Sequence, residues 1–204
     1  MRFLILILAL LCVQTVVAGD TLAQFSERLA PLMECQTVQA DYVQTRKIKS
    51  LGIDLVINGS MALEKNGRLL WHSKSPLSSI IIISADSLRL WDAETNQVTT
   101  VSASRFPWLK LIYSSMSEWL SGDIKKLENS SRITIKDKHT LELVPEQEFF
   151  LKFVSKVEIS FTSAYDAVKT MILFENNGDI LHFEYKNIIL NQTIPESRWL
   201  LPPK

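Results

Sequence analysis

The chain has 204 residues, with 22 Lys and Arg against 22 Asp and Glu, 47% apolar residues and two cysteines. That length suits one domain with a substantial buried core. Balanced charge without a polybasic run points away from nucleic acid and from lasting adhesion to an anionic membrane surface.

Residues 1–18 read as a secretory signal peptide. Arg2 forms a short positive n-region, "FLILILALLCVQTVV" is a continuous apolar run, and Val16 and Ala18 supply the small residues of a cleavage site. The run is shorter than the roughly 20 residues a helix needs to cross hydrocarbon, so no stable membrane insertion is expected. A lipoprotein signal wants a small residue directly before its cysteine, and Leu11 precedes Cys12. Cleavage after Ala18 leaves residues 19–204 as a single soluble domain. Its formal charge is −1 because Arg2 departs. Cys12 departs too, so Cys35 has no internal disulfide partner and the core must hold the fold.

In "DTLAQFSERLAPLME", Thr21 and Gln24 fit a capping box, and Leu22, Phe25, Leu29, Leu32 and Met33 recur at helical spacing. Pro31 is expected to bend or end that helix. The period then changes to two. "VQADYVQTRKI" alternates, "DLVINGSMALEK" continues extended past Gly59, and "GRLLWHSK" follows an Asn66–Gly67 hairpin signal. Further strands are "SSIIIIS", "SLRLWD", "QVTTVS", "RITIK", "TLELVP", "KVEISFT", "KTMILFE" and "DILHFEYKNIIL", joined by turn-rich segments such as "DAETN" and "ENNGD". About eleven extended segments joined as hairpins predict one large, curling antiparallel sheet. One stretch breaks the pattern. In "SRFPWLKLIYSSMSEWLSGD", Phe106, Leu109, Ile112, Met116 and Trp119/Leu120 trace a helical stripe, with Pro107 suited to its first turn and Gly122 to its end.

Little in the chain signals catalysis. His72, His139 and His182 have no partner at metal-ligand spacing, there is no G-x-S-x-G elbow, and no glycine loop cradles phosphate. No metal, cofactor or enzymatic activity is expected. Cys35 reads as a buried small hydrophobe, and the sequons at Asn58, Asn129 and Asn191 carry little weight.

The order of pieces resembles the periplasmic lipoprotein carriers of Gram-negative bacteria, the LolA/LolB-type family, and within it the LolA-like branch. "DYVQTRKI" is similar to the family's F-x-Q-x-K/R strand after a short helix. "GSMALEKNGRLLWHSKSP" resembles its hairpin with an L-x-W strand and nearby proline, and "SSIIIISADSLRLWD" its second tryptophan strand. "WLSGD" and "MILFENNGDILHFEYKNIILNQTIPESRWLLPP" match its helix-ending Gly-Asp and closing hairpin with terminal Pro-Pro. The resemblance implies an α+β, mainly β fold: an incomplete β-barrel covered by a helical lid, with an apolar cavity for acyl chains. It also implies a monomeric periplasmic carrier that takes lipoproteins or another acylated cargo from an inner-membrane exporter to an outer-membrane acceptor.

One departure stands out. Where the family places an arginine and a proline six residues before the hairpin tryptophan, this chain has Lys65 and Asn66. Lysine keeps the charge of a lid latch but lacks the planar fork that reaches several carbonyls together.

Alternation nominates the lining. Met61, Leu63, Leu69, Trp71 and Trp91 are placed on the concave side, with Ile81 and Ile83 beside them, or Ile80 and Ile82 if the register slips by one. On the family's pattern Trp71 faces the cavity, and Phe106, Leu109, Ile112, Met116 and Trp119 form the lid. Two other readings remain: a non-catalytic interaction module of an envelope export assembly with a side-chain-filled interior, and a secreted hydrolase of lipid or glycan.

Overall fold

The computed structural model describes residues 20–65, 67–102, 104–105 and 108–202, with the backbone alone for 108–113 and 116. The leader, Asn66 of the hairpin turn, Phe106, Pro107 and the last proline of the terminal pair lie outside the described residues.

The first helix, α1 (Leu22–Arg28), starts where the sequence signals it. Gln24 N donates to Thr21 Oγ1 at 3.3 Å and Thr21 N to Gln24 Oε1 at 2.9 Å, the reciprocal bonds of a capping box. Pro31 falls in the first turn of a separate helix, α2 (Ala30–Met33), so the chain breaks at Leu29 as expected. Phe25, Leu29 and Leu32 are fully buried beneath the two.

Eleven strands follow: β1 (Thr37–Ile48), β2 (Ile53–Glu64), β3 (Arg68–Ser75), β4 (Ser79–Ser84), β5 (Ser87–Asp92), β6 (Gln97–Ser102), β7 (Ser131–Asp137), β8 (Thr140–Pro145), β9 (Val154–Phe161), β10 (Val168–Glu175) and β11 (Ile180–Leu190). Each hairpin pairs antiparallel with its sequence neighbour. β11 returns to β1, giving the order β6-β5-β4-β3-β2-β1-β11-β10-β9-β8-β7. β6 and β7 are the two free ends, so the sheet curls without closing. The chain passes between those ends as α3 (Trp108–Ser121) and α4 (Ile124–Glu128). Gly122 ends α3 at φ +64°, and a Cβ there would sit 2.9 Å from Leu32 Cδ2, so glycine also lets α3 approach α2. A short α5 (Glu148–Leu151) and a 3-10 turn (Glu196–Trp199) complete the described helices. Sequence periodicity did not find α4, α5 or this turn, because four or five residues are too few to display a helical repeat.

The sheet separates two apolar clusters. The inner faces of β8 to β11 contribute buried residues, among them Leu141, Val157, Ile159, Met171 and Phe183, packed against Phe25, Leu29, Trp119, Ile124 and Leu127 of the helices, with the half-buried Ile133 and Ile135 of β7 beside them. On the outer face the chain after β11 runs back over the neighbouring strands, and Ile194 and Trp199 cover Ala62, Leu70 and Ile82. Arg68 stacks 4.4 Å over the Trp199 ring while bonding Glu64 and Glu196, and Arg89 donates to the Trp199 carbonyl at 3.0 Å. The outer face is thus strapped by the chain's own end, and the inner face is the one that helices cover.

Candidate functional site

Strand register decides what faces inward. Met61 opposes Trp71 and Leu63 opposes Leu69 between β2 and β3; Leu69 opposes Ile83 and Trp71 opposes Ile81 between β3 and β4. Residues directly opposite share a face, so Met61, Leu63, Leu69, Trp71, Ile81 and Ile83 lie together on the inner side. Ile80 and Ile82 fall on the outer one. Of these six, four are buried, while Trp71 and Ile81 are only partly covered.

Trp91 is misplaced by the sequence reading. It opposes Ile80 across β4 and β5, which puts it on the outer face, where its Nε1 donates to Asn96 Oδ1 at 3.1 Å. The two-residue turn at Ala85–Asp86 sets Ile83 against Leu88, so Leu88 and Leu90 take the inner positions. In "SLRLW" Leu88 and Leu90 alternate with Ser87 and Arg89, so the period-two signal points to the leucines, and the resemblance to a second tryptophan strand draws Trp91 into the lining instead.

Trp71 sits in an aromatic group that the sequence did not single out. Its ring centroid lies 4.7 Å from Tyr42 and 5.3 Å, edge-on, from Phe183. Gly59 makes room for this. A Cβ there would lie 2.3 Å from the His72 carbonyl and 2.4 Å from the Tyr42 ring, so only glycine lets Tyr42 lean across β2 to reach Ser73 Oγ at 3.2 Å. Tyr185 opposes Tyr42 from β11 and stacks beside Phe183. The period-two pattern of "ILHFEY" was the available signal for Phe183 and Tyr185.

The helical cover has two parts. Trp119 and Leu120 of α3 are buried, and Trp119 packs 5.9 Å from Phe150. Leu109, Ile112 and Met116 lie on α3 with their side chains outside the described set, while α3 itself runs against β4. The second part is α1 and α2, and Lys65 belongs to it. Lys65 Nζ donates to the Met33 carbonyl at the C-terminal end of α2, where unpaired carbonyls favour a cation, and its backbone N–H bonds Gln36 O at 2.8 Å. The clasp therefore holds α2 to the sheet, not the striped helix that the sequence reading paired it with. Lys65 also borders a narrow seam that runs past Leu63 and Cys35 to Ser117 and Ser121 of α3.

Beneath α2 the vacant volume is small. A cavity of about 10 Å³, room for one water, lies among Leu32, Val38, Ala40, Met61, Leu120 and Tyr185. Sites for drug-sized ligands run to roughly 300–1,000 Å³. The open, oily space expected beneath the cap is absent at this point among the described residues: the sheet and the helices meet side chain to side chain. A groove of about 570 Å³ does exist between α1, α2 and α4, but no strand residue lines it, and Glu27, Lys125 and Glu128 rim it.

Charged groups stay at the margins. Arg46 bridges Glu175 and Asp179 at 3.1 and 3.2 Å, tying the β1–β2 end to the β10–β11 turn. His72 stands on the outer face, where burial and then Lys74 and Arg198 hold its pKa below the usual imidazole range. Cys35 is buried, and its thiol donates to Thr37 O at 3.0 Å. Among the described residues, no three His, Cys, Asp or Glu side chains converge as metal ligands, and no helix is long and apolar enough to cross a membrane.

Known proteins resemble this chain in sequence and in fold. An outer-membrane lipoprotein carrier protein of Pseudomonas putida (strain GB-1) is 25% identical over 200 residues, covering 91% of this chain and 86% of that protein. One of the same name from Legionella pneumophila (strain Paris) is 26% identical over 174 residues, 83% of this chain and 81% of the other. The fold matches the crystal structure of an uncharacterized conserved protein from Thermus thermophilus with a TM-score of 0.55 at 8% identity, over 88% and 94% of the two chains. The family model described as outer membrane lipoprotein carrier protein LolA matches residues 33–199, most of the chain, and the chain belongs to that family.

Proposed function

We propose that this protein is a non-catalytic periplasmic carrier that shields the acyl chains of a lipoprotein, or of a related acylated product, between its concave sheet and its helical cover. The reading places residues 1–18 as a cleaved signal peptide and 19–204 as the working domain. It sets an inner-membrane exporter upstream and an outer-membrane acceptor downstream. One observation carries it: an unclosed sheet with a largely apolar inner face, covered by helices that are held at one margin by the Lys65 contact with Met33.

The energetics suit reversible holding. Each acyl methylene left in water costs about 0.8 kcal/mol, so one long chain costs on the order of 10 kcal/mol. Lifting α1 and α2 exposes Phe25, Leu29 and Leu32, each worth roughly 1.5–3 kcal/mol. Cargo burial can offset that opening, and the closed form refills the space with the protein's own side chains on release. A ligand shifts such an equilibrium only by binding the open form better. Non-directional contacts with Met61, Leu69, Trp71 and Ile81 require no single pose, which fits cargo that must leave again.

The test is binding of a synthetic triacylated lipopeptide to the exported protein, followed by tryptophan emission and by co-elution on gel filtration. Saturable one-to-one binding is expected. No binding above the background of an unrelated exported protein would overturn the reading.

A further inference from the structure

Tyr185 stands out within the apolar interior. It is 5% exposed, and its hydroxyl has no hydrogen-bond partner among the described residues. Leaving a buried hydroxyl unpaired costs about 1–3 kcal/mol, and phenylalanine would fill the same space without that cost. Tyr42, opposite it on β1, makes the contrast plain, because its own hydroxyl is paired with Ser73. Tyr185 also lines the small cavity beneath α2. Every other side chain there, including Leu32, Met61, Leu120 and Leu190, is apolar. Among the described residues the phenol is thus the one side-chain hydrogen-bonding group in that lining, and it lies under the helix that Lys65 clasps.

We propose that the Tyr185 hydroxyl is a polar anchor for cargo: once α2 lifts, it donates a hydrogen bond to an acyl carbonyl oxygen, fixing the junction of tail and head group at this depth. The proposal rests on the carrier reading above and adds a specificity-determining residue to it. The chemistry favours a neutral carbonyl. No cation lines the cavity, so a phosphate or carboxylate brought there would be buried without a counter-charge. A hydrocarbon tail alone would leave the hydroxyl orphaned. Burial pushes the phenol's pKa up, so the group remains a proton donor throughout the working pH range. Such sites discriminate by the penalty for leaving their polar group unpaired.

The experiment compares three ligands of equal chain length on the exported protein and on Tyr185→Phe: a diacyl-ester lipopeptide, its dialkyl-ether analogue and an N-acyl amide lipopeptide. Wild type is expected to bind the ester or the amide about three- to tenfold more tightly than the ether, the scale of one neutral hydrogen bond. Tyr185→Phe should abolish that preference while binding the ether as before. Loss confined to the ester or to the amide assigns the carbonyl to that linkage. Equal wild-type affinity for all three, or a preference that survives in Tyr185→Phe, overturns the anchor while leaving the carrier reading intact. Failure of wild type to bind any of the three overturns the carrier reading itself. Thermal unfolding guards against a structural role. Tyr185→Phe should match or exceed the wild-type Tm, and a Tm several degrees lower would show the hydroxyl already engaged in the closed fold, against the proposal.

Discussion

Replacing Lys65 with methionine removes the ammonium that reaches the Met33 carbonyl while keeping most of the apolar stem. A hydrogen bond to a charged group contributes about 1.5–3 kcal/mol, and the partial exposure of Lys65 brings this to about 1–2 kcal/mol through solvent screening. The loss falls on the closed form alone, because the contact does not exist once α2 leaves the sheet. Two effects follow with opposite sign. The Tm drops by about 2–8 °C, at about 2–4 °C per kcal/mol for a domain of this size. The free energy needed to open also shrinks, so the apparent Kd for a triacylated lipopeptide falls by about five- to thirtyfold. Thermal denaturation and fluorescence titration of the same samples read both. Lys65→Arg, which keeps a cation at the margin, should restore both values. If Lys65→Met lowers the Tm and weakens binding together, Lys65 contacts cargo rather than clasping α2, and the reasoning fails.

Other outcomes are as specific. Gly59→Ala would drive a Cβ into the His72 carbonyl and the Tyr42 ring, and the overpacking should cost about 1–3 kcal/mol, read by urea denaturation. Trp71→Phe should diminish the cargo-induced change in tryptophan emission, whereas Trp91→Phe, on the strapped outer face, should leave it intact; the reverse would restore Trp91 to the lining. Glu158 supplies a pH dependence. Burial pushes its carboxyl up, but hydrogen bonds from Lys136 and Lys156 outweigh this and hold it below the ordinary range. A folded pKa below the unfolded value gives stability that is present above the unfolded pKa and lost as pH falls through the folded one. Urea midpoints should therefore decline below about pH 4, and Glu158→Gln should flatten part of that decline while lowering stability at neutral pH.

Much of the fold was legible because its signals are local. Thr21 and Gln24 mark a helix start, Pro31 a break, and about eleven extended runs between turn residues predict the strands; each depends on a few adjacent side chains. On β2 and β3 the inward positions Met61, Leu63, Leu69 and Trp71 follow the alternation, whereas β4, with Ile80 to Ile83 in a row, left both parities open until its pairing with β3 turned Ile81 and Ile83 inward. Trp91 was misplaced because the tryptophan pattern of the family outweighed the alternation of β5, in which Leu88 and Leu90 are the apolar pair and Trp91 shares the parity of Ser87 and Arg89; the pairing of Ile83 with Leu88 turns the leucines inward. The partner of Lys65 was hidden for a different reason. Met33 stands 32 residues earlier in the chain, and the contact exists only because α2 folds back over the end of β2. The orphaned Tyr185 hydroxyl was equally invisible: a strand pattern says that Tyr185 points inward with Phe183 but not what surrounds its oxygen. The filled cavity under α2 depends on how Leu32 and Leu120 meet the sheet, which is a matter of packing rather than pattern.

On the carrier reading, cargo enters by lifting the clasped helices from the concave sheet. The most direct test is the distance between spin labels placed at the exposed Ala30 of α2 and the exposed Lys186 of β11, with Cys35 replaced by alanine, measured by pulsed electron resonance with and without saturating triacylated lipopeptide. The separation should lengthen by several ångströms when cargo binds and return on its release. Saturated binding with an unchanged distance would contradict this opening.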